Sequence, residues 1–402
     1  MWARCGGPGA LRPRGVPSML LRVPVSRGGY AVPLRGPRAP PRKGPAPNVS
    51  RAQRHTLLRS PYEDGPESDV VFSSRVRLAR NIAGLPFPGR AGRDELRALV
   101  EHLRPIFDNR NLEPALTFVE VRALSALERR VMVEAHLASP ALVERRAESA
   151  VAFSADGRLS VMVNEEDHLR IQAIRPGLET WPAWQAADAL DEWLCAQLPF
   201  AYRPDLGYLT AHISNLGTGM RASVMLHLPA LKACGRLPAV LEAAARLGAA
   251  VRGAHGEDTA SSGDLYQVSN RYGMGKAERE IVTEVHAAAS HLVAEERSAR
   301  QELLRARRTQ VEDDAWRAYG ILRYARSIST EEALDLLSKL MLGRALGLVA
   351  LDASKLKHLM VMAQPGCLQT IVGPAYSPAE RDAKRADFLR LALSSRELRL
   401  GN

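Results

Sequence analysis

Hydrophobic and polar positions along the 402-residue chain fall into three regimes. Up to about residue 60 no period is visible. From about residue 69 short alternating runs and helical repeats interleave. "LSVMV" at 159–163 and "SVMLHL" at 223–228 alternate with period two and predict strands. "RDELRALVEHLR" at 93–104 and "ALSALERRVMVEAH" at 123–136 repeat their apolar residues at helical spacing. Further helices are expected at 186–197 and, after a proline start, at 238–247. From 276 onward the pattern is almost continuously helical, with segments at 329–341, 351–360 and 378–396. The chain reads as α+β, with a mixed domain over 61–297 followed by a helical domain over 298–402.

Composition changes this picture at one end only. The formal net charge is +11, the sign expected of a nucleic-acid binder. Residues 1–60, however, hold eleven Arg, one Lys and no acid, so the remaining 342 residues are balanced to within one charge. The basicity belongs to a tail, and the folded part carries no signal for nucleic acid. That tail also holds ten of the 26 prolines and eight of the 30 glycines, a composition that cannot bury enough apolar surface to order itself. A translation start placed too far upstream is the alternative reading of the segment. No stretch is apolar for long enough to span a membrane, and none is an adequate signal-peptide core. The four scattered cysteines lack any CxxC spacing, which argues against structural zinc and a disulfide framework and fits a cytoplasmic protein.

Charged residues then mark candidate chemistry. In "SSRVRLARN" (73–81), Arg75 and Arg77 lie at period two and share one face of a strand. Paired guanidiniums can clamp phosphate, although a solvated edge strand produces the same pattern. In "VMVNEEDHLR" (161–170), Glu165 and Glu166 are neighbours, so on a strand only one of them can aim at a given ligand. One inward carboxylate suits general-base work or pairing with a cationic substrate. A glycine loop leads into Arg221 in "NLGTGMRASVMLHLP", and "RGAHGED" offers Arg252 and Glu257. Five arginines and two acids at strand ends and glycine loops form the inventory of a phosphoryl-transfer site without a P-loop lysine; no GxxxxGK[ST] motif occurs. In "RDAKRA" (381–386), Arg381 and Arg385 are i,i+4 neighbours whose mutual repulsion an anion would relieve, and a solvated helix face is the plain alternative.

Taken together, "SSRVRLARN", "VNEEDHLRIQ", "GYLTAHISNLGTGMRASVMLHLPAL" and "GEDTASSGDLYQVSN" resemble the phosphagen (guanidino) kinase family, over about residues 69–290. The helical region after the catalytic motifs, and the match of "RDAKRA" to an RDxxRA motif, narrow the resemblance to the bacterial protein-arginine kinases of the McsB type. The resemblance implies an antiparallel sheet flanked by helices, ATP with Mg²⁺ as donor, and arginine in protein substrates as acceptor. It further implies a homodimer through the helical domain, and collaboration with an activator protein and a Clp-type protease in a stress response.

Carried over by position, the resemblance places Ser73, Ser74, Arg75, Val76, Arg77, His136 and Arg170 around the nucleotide. It adds Arg221, Ala222, Ser223, Val224 and Met225, then Arg252, Gly253, Ala254, His255, Gly256 and Glu257. Glu166 and Glu257 match the two acids that grip the acceptor guanidinium, with Glu165 and His168 pointing away. Arg381, Asp382, Ala383, Lys384, Arg385 and Ala386 match an allosteric phosphoarginine pocket. One departure stands out. His212-Ile213 replaces the Cys-Pro of the family, where a thiolate lies beside the acceptor; a neutral imidazole brings no negative charge. Two alternatives follow: a feebly active phosphoarginine-binding adaptor, and a small-molecule arginine kinase, which the domain order disfavours.

Overall fold

The computed structural model describes residues 63–109, 112–144, 148–246, 248–253, 262–373 and 376–394. The expected basic tail and the expected site residues 254–257 lie outside them. Eight strands build one sheet: β1 (Val71–Arg80), β2 (Leu116–Glu120), β3 (Ala150–Ser154), β4 (Leu159–Val163), β5 (Leu169–Pro176), β8 (Met220–His227), β9 (Ala249–Gly253) and β10 (Leu265–Asn270). Their spatial order is β2-β3-β4-β5-β1-β8-β10-β9, and every neighbouring pair is antiparallel. A small separate hairpin joins β6 (Tyr202–Arg203) to β7 (Gly207–Tyr208).

Alternation along β1 assigns the two faces. Val76 and Leu78 are fully buried, while Arg75 and Arg77 on the opposite face are half-buried. The first face packs on α4 (Thr180–Cys195), which presents Ala183, Ala187, Leu190 and Leu194, and on the start of α7 (Glu278–Tyr324) through Ile281 and Val285. Each large side chain so buried contributes about 1.5–3 kcal/mol. The helix α1 (Arg93–Phe107) joins the same core through Leu99, Leu103 and Phe107.

The arginine-bearing side has its own apolar cluster. Phe72, Val151, Phe153 and Met162 of the sheet meet α2 (Ala126–Glu134) and three later helices. These are α8 (Thr330–Ala345), α9 (Ala353–Met362) and α11 (Pro378–Ala392), between which runs α10 (Pro365–Val372). Side-chain caps fix their starts: Ser329 accepts from the Glu332 amide at 3.1 Å, and Asp352 from the Lys355 amide at 2.6 Å. Short helices α3 (Pro140–Glu144), α5 (Pro229–Ala233) and α6 (Leu237–Arg246) complete the set. The antiparallel sheet flanked by helices, with helices after it, is the fold that the resemblance implies.

The expected division at 297/298 falls inside α7, a helix of 47 residues that departs from helical dihedrals at Arg307 (φ −141°, ψ 32°). Polar contacts also tie the later helices to the sheet. His227 of β8 meets Ser338 of α8 at 2.8 Å, and the buried Lys357 of α9 donates to the Val71 carbonyl at 3.2 Å. Cys234 and Cys367 are free thiols. Among the described residues no helix is long and apolar enough to cross a membrane.

Candidate active site

Strand register converts separated arginines into one patch. Arg77 of β1 lies directly opposite Arg221 of β8, Arg75 lies opposite Ser223, and Ala79 lies opposite Arg170 of β5. Like charges facing each other across strands are destabilising. Burial, followed by the guanidiniums of Arg75, Arg170 and Arg221, pulls Arg77 well below the usual arginine pKa, and Glu165 opposes that pull. The Nε of Arg77 has no hydrogen-bond partner. An anion lying over these side chains would relieve both costs. Further out, β9 pairs with β10 so that position 252 lies opposite Gln267, itself opposite Met225.

The acidic segment is not a strand. Residues 164–168 close the β4–β5 hairpin, with Asn164 in the left-handed region at φ 60° and its amide bonded to the His168 carbonyl at 2.9 Å. Strand alternation therefore does not govern Glu165 and Glu166, and the expectation that Glu165 turns away is corrected. Both carboxylates reach one guanidinium: Arg170 donates to the buried Glu165, and its Nη2 lies 3.6 Å from Glu166. Glu165 also accepts from the Ser139 hydroxyl. Glu166 is the more exposed of the two and faces the cleft. His168 is buried; the Ile82 amide donates to its Nδ1 at 3.0 Å, and its Nε2 meets the Pro86 carbonyl at 3.0 Å. Burial lowers its pKa, which keeps the ring neutral and structural.

A buried polar node aligns the two loops that meet at the cleft. Asp167 accepts from Asn81 Nδ2 and from the Ala211 amide, each at 2.6 Å. Asn81 also accepts from the His168 amide at 2.9 Å and donates to the Leu209 carbonyl at 3.0 Å. Glu166 precedes Asp167 and His212 follows Ala211, and His212 Nε2 lies 3.1 Å from Glu166 Oε1. The glycines of "SNLGTG" answer to packing. A Cβ on Gly219 would lie 2.5 Å from the Arg80 guanidinium, and one on Gly217 would lie 2.8 Å from the Gly273 carbonyl. Arg80 itself, fully buried and paired with Asp191 at 2.8 Å, donates to the Thr218 carbonyl and so ties the loop to β1.

Two adjoining cavities result. One, of about 310 Å³, is bordered by Glu166, His212, Arg77, Arg170 and Arg221. The other, of about 460 Å³, shares Arg77 and Arg170, adds Arg75 and His136, and continues into an apolar chamber. His136 sits just past α2 with φ 58°, and its carbonyl accepts from Gln172 at 2.7 Å. Among the described residues no group of three or more His, Cys, Asp and Glu side chains could hold a metal ion.

The sequence itself matches known proteins along nearly all of this framework. Residues 98–299 match the family model of the ATP:guanido phosphotransferase C-terminal catalytic domain, and residues 308–400 match that of the protein-arginine kinase McsB C-terminal domain. The protein-arginine kinase of Symbiobacterium thermophilum is 44% identical over 351 residues, covering 86% of this chain and 98% of its own. That of Caldanaerobacter subterraneus subsp. tengcongensis is 41% identical over 333 residues, covering 82% and 99%. The chain belongs to the protein-arginine kinase family. Among solved structures, the duplicated taurocyamine kinase from Schistosoma mansoni superposes with a TM-score of 0.51 at 30% identity, over 59% of this chain and 34% of that one. Lombricine kinase shares the fold, with a TM-score of 0.50 at 23% identity, over 63% of this chain and 71% of that one.

Against that protein-arginine kinase framework, several assigned positions move. Ser74, Val76, Ala222 and Val224 are fully buried; strand alternation turns their side chains from the cleft, and Ser74 donates to the Gly177 carbonyl at 2.8 Å. Ser73, Ser223 and Met225 stay on the arginine side, beside Arg75 and His136. In the RDxxRA helix, Arg385 is buried and already satisfied by the carbonyls of Ala363 and Ile328, each at 2.8 Å, and by Asp382 at 2.6 Å. Its expected repulsion with Arg381 is answered by protein acceptors. Ala386 is fully buried as well, which leaves Arg381, Asp382, Ala383 and Lys384 partly exposed along α11. Asn81, Asp167 and Gln172 escape the sequence reading as site-supporting residues, although all three lie within quoted motifs.

Proposed function

We propose that the chain transfers the terminal phosphoryl group of ATP to arginine side chains of proteins and thereby marks those proteins for regulated proteolysis. ATP is the donor, with Mg²⁺ carried on its phosphates. The single observation behind this reading is the convergence of Arg75, Arg77, Arg170 and Arg221 on one face, with Glu166 at its rim. An acceptor guanidinium stays protonated, with a pKa above about 12, and is a poor nucleophile. Glu166 fixes its plane and takes a proton as the N–P bond forms and the bond to the leaving diphosphate breaks. The arginine face balances the charge spread over the transferring oxygens. Glu257 supplies the second acid, Arg252 a fifth cation, and Arg381 with its neighbours on α11 a phosphoarginine pocket. The protein works as a cytoplasmic homodimer, alongside an activator protein and a Clp-type protease.

A second reading is favoured by His212. Its imidazole occupies Glu166, with no thiolate at that position, which fits a slow enzyme serving mainly as a phosphoarginine-binding adaptor. Incubation with MgATP and casein separates the readings. Acid-labile phosphate on arginine supports the first. Unlabelled casein, with phosphoarginine binding that Arg381→Ala abolishes, supports the second. Label on free arginine alone overturns both.

A further inference from the structure

We infer that helices α8 to α10 supply the base-side wall of the nucleotide site, and that Gln364 reads the adenine edge. This rests on the ATP reading above and goes beyond it, because it places a specificity residue outside the catalytic motifs. The larger cavity has two chemically different ends. Arg75 and Arg77 face one, where phosphates are held. Leu334, Met360 and Val361 line the other, and Gln364, the residue preceding α10, lies among them. A largely apolar chamber with a few placed polar groups is the usual form of a small-molecule site, and Met side chains adapt to a planar ring.

Gln364 is singled out by what its neighbours are doing. Glu134, which lines the same cavity, already accepts from Arg130 and from the amides of Gly366 and Cys367 at 2.9 and 2.7 Å. Gln172 is bonded to the His136 carbonyl and to Ser160, and Ser139 to Glu165 and the Leu142 amide. The half-buried side-chain amide of Gln364 makes no hydrogen bond among the described residues. It offers one donor edge and one acceptor edge, the pair that meets N6 and N7 of adenine. The wall is held rigidly. Arg385 donates to the carbonyl of Ala363, next in sequence, and a Cβ on Gly263 would strike Met360 at 2.6 Å. Gly263 therefore rests on the same wall, its amide donating to Asp335 at 3.0 Å.

Calorimetric titration of the full chain with MgATP, MgGTP and magnesium tripolyphosphate tests this. Gln364→Ala should weaken ATP roughly three- to tenfold, the worth of a hydrogen bond or two, and erase the preference for ATP over GTP. Gln364→Trp should fill the chamber and abolish ATP binding. Both variants should bind tripolyphosphate like the unaltered chain, because the arginine face is untouched. Undiminished ATP affinity in both variants overturns the wall, as does an equal loss of tripolyphosphate. An unaltered chain that binds neither ATP nor tripolyphosphate overturns the nucleotide reading itself.

Discussion

Arg77 and Arg221 stand directly opposite each other on adjacent antiparallel strands, two guanidiniums where cross-strand pairing ordinarily selects against like charge. An anionic ligand would complete such a pair. Replacing Arg221 by Met should raise the melting temperature of the nucleotide-free protein slightly, since the repulsion removed is of order 0.2–1 kcal/mol. The same change should weaken ATP at least about tenfold. Thermal denaturation with and without ATP reads both effects. A variant that melts lower and binds ATP normally would show that the pair is purely structural.

Glu166→Ala should cut phosphoryl transfer by about a hundredfold or more, the scale of a lost general base. Nucleotide binding should stay within about twofold, because Glu166 borders the acceptor side of the arginine face. Steady-state rates paired with ATP titration separate the two. Lost ATP affinity would remove Glu166 from its assigned role.

His212→Cys should raise the turnover rate by about tenfold, equivalent to about 1.4 kcal/mol of barrier. The argument is local: His212 Nε2 lies 3.1 Å from the carboxylate that must engage the acceptor, and a thiolate there would add charge of the useful sign. An unchanged rate would show that position 212 does not limit catalysis.

Lys357 gives a pH signature. Burial lowers its pKa from 10.5 to about 8. Between those values the unfolded chain holds the proton and the folded one has released it, so stability rises with pH across that window and is lost as pH falls through about 8. The size is about 3 kcal/mol. Lys357→Met, which has no charge to bury, should be the more stable protein at pH 7, and its advantage should shrink by pH 10. Denaturant midpoints of both proteins at the two pH values check this. A constant gap would mean that Lys357 keeps its proton in the fold.

What was legible in the chain was local. The period-two arginines of 75 and 77 announced a shared face, and the helical repeats over 93–104, 238–247 and 329–341 correspond to α1, α6 and α8. What was not legible depended on backbone turns and long-range packing. Asn164 in the left-handed region turns "NEED" into a hairpin loop, so that Glu165 meets Arg170 instead of turning away. The charge of Arg385 looked available from helical spacing, but carbonyls 22 and 57 residues distant satisfy it. No local pattern could connect Gln364 or Met360 to Arg75, since only the closed fold lines one cavity with all three.

The long helix α7 carries a final consequence. It runs from the back of the sheet toward the later helices with no loop before Arg307, the residue at which it departs from helical dihedrals. One residue inserted before Arg307 would rotate the helix between the insertion and that break by about 100° and advance it about 1.5 Å. The spacing of that stretch is thus fixed as tightly as a gear tooth. Grafting the last hundred residues onto another member of the family would succeed only in matching helical phase.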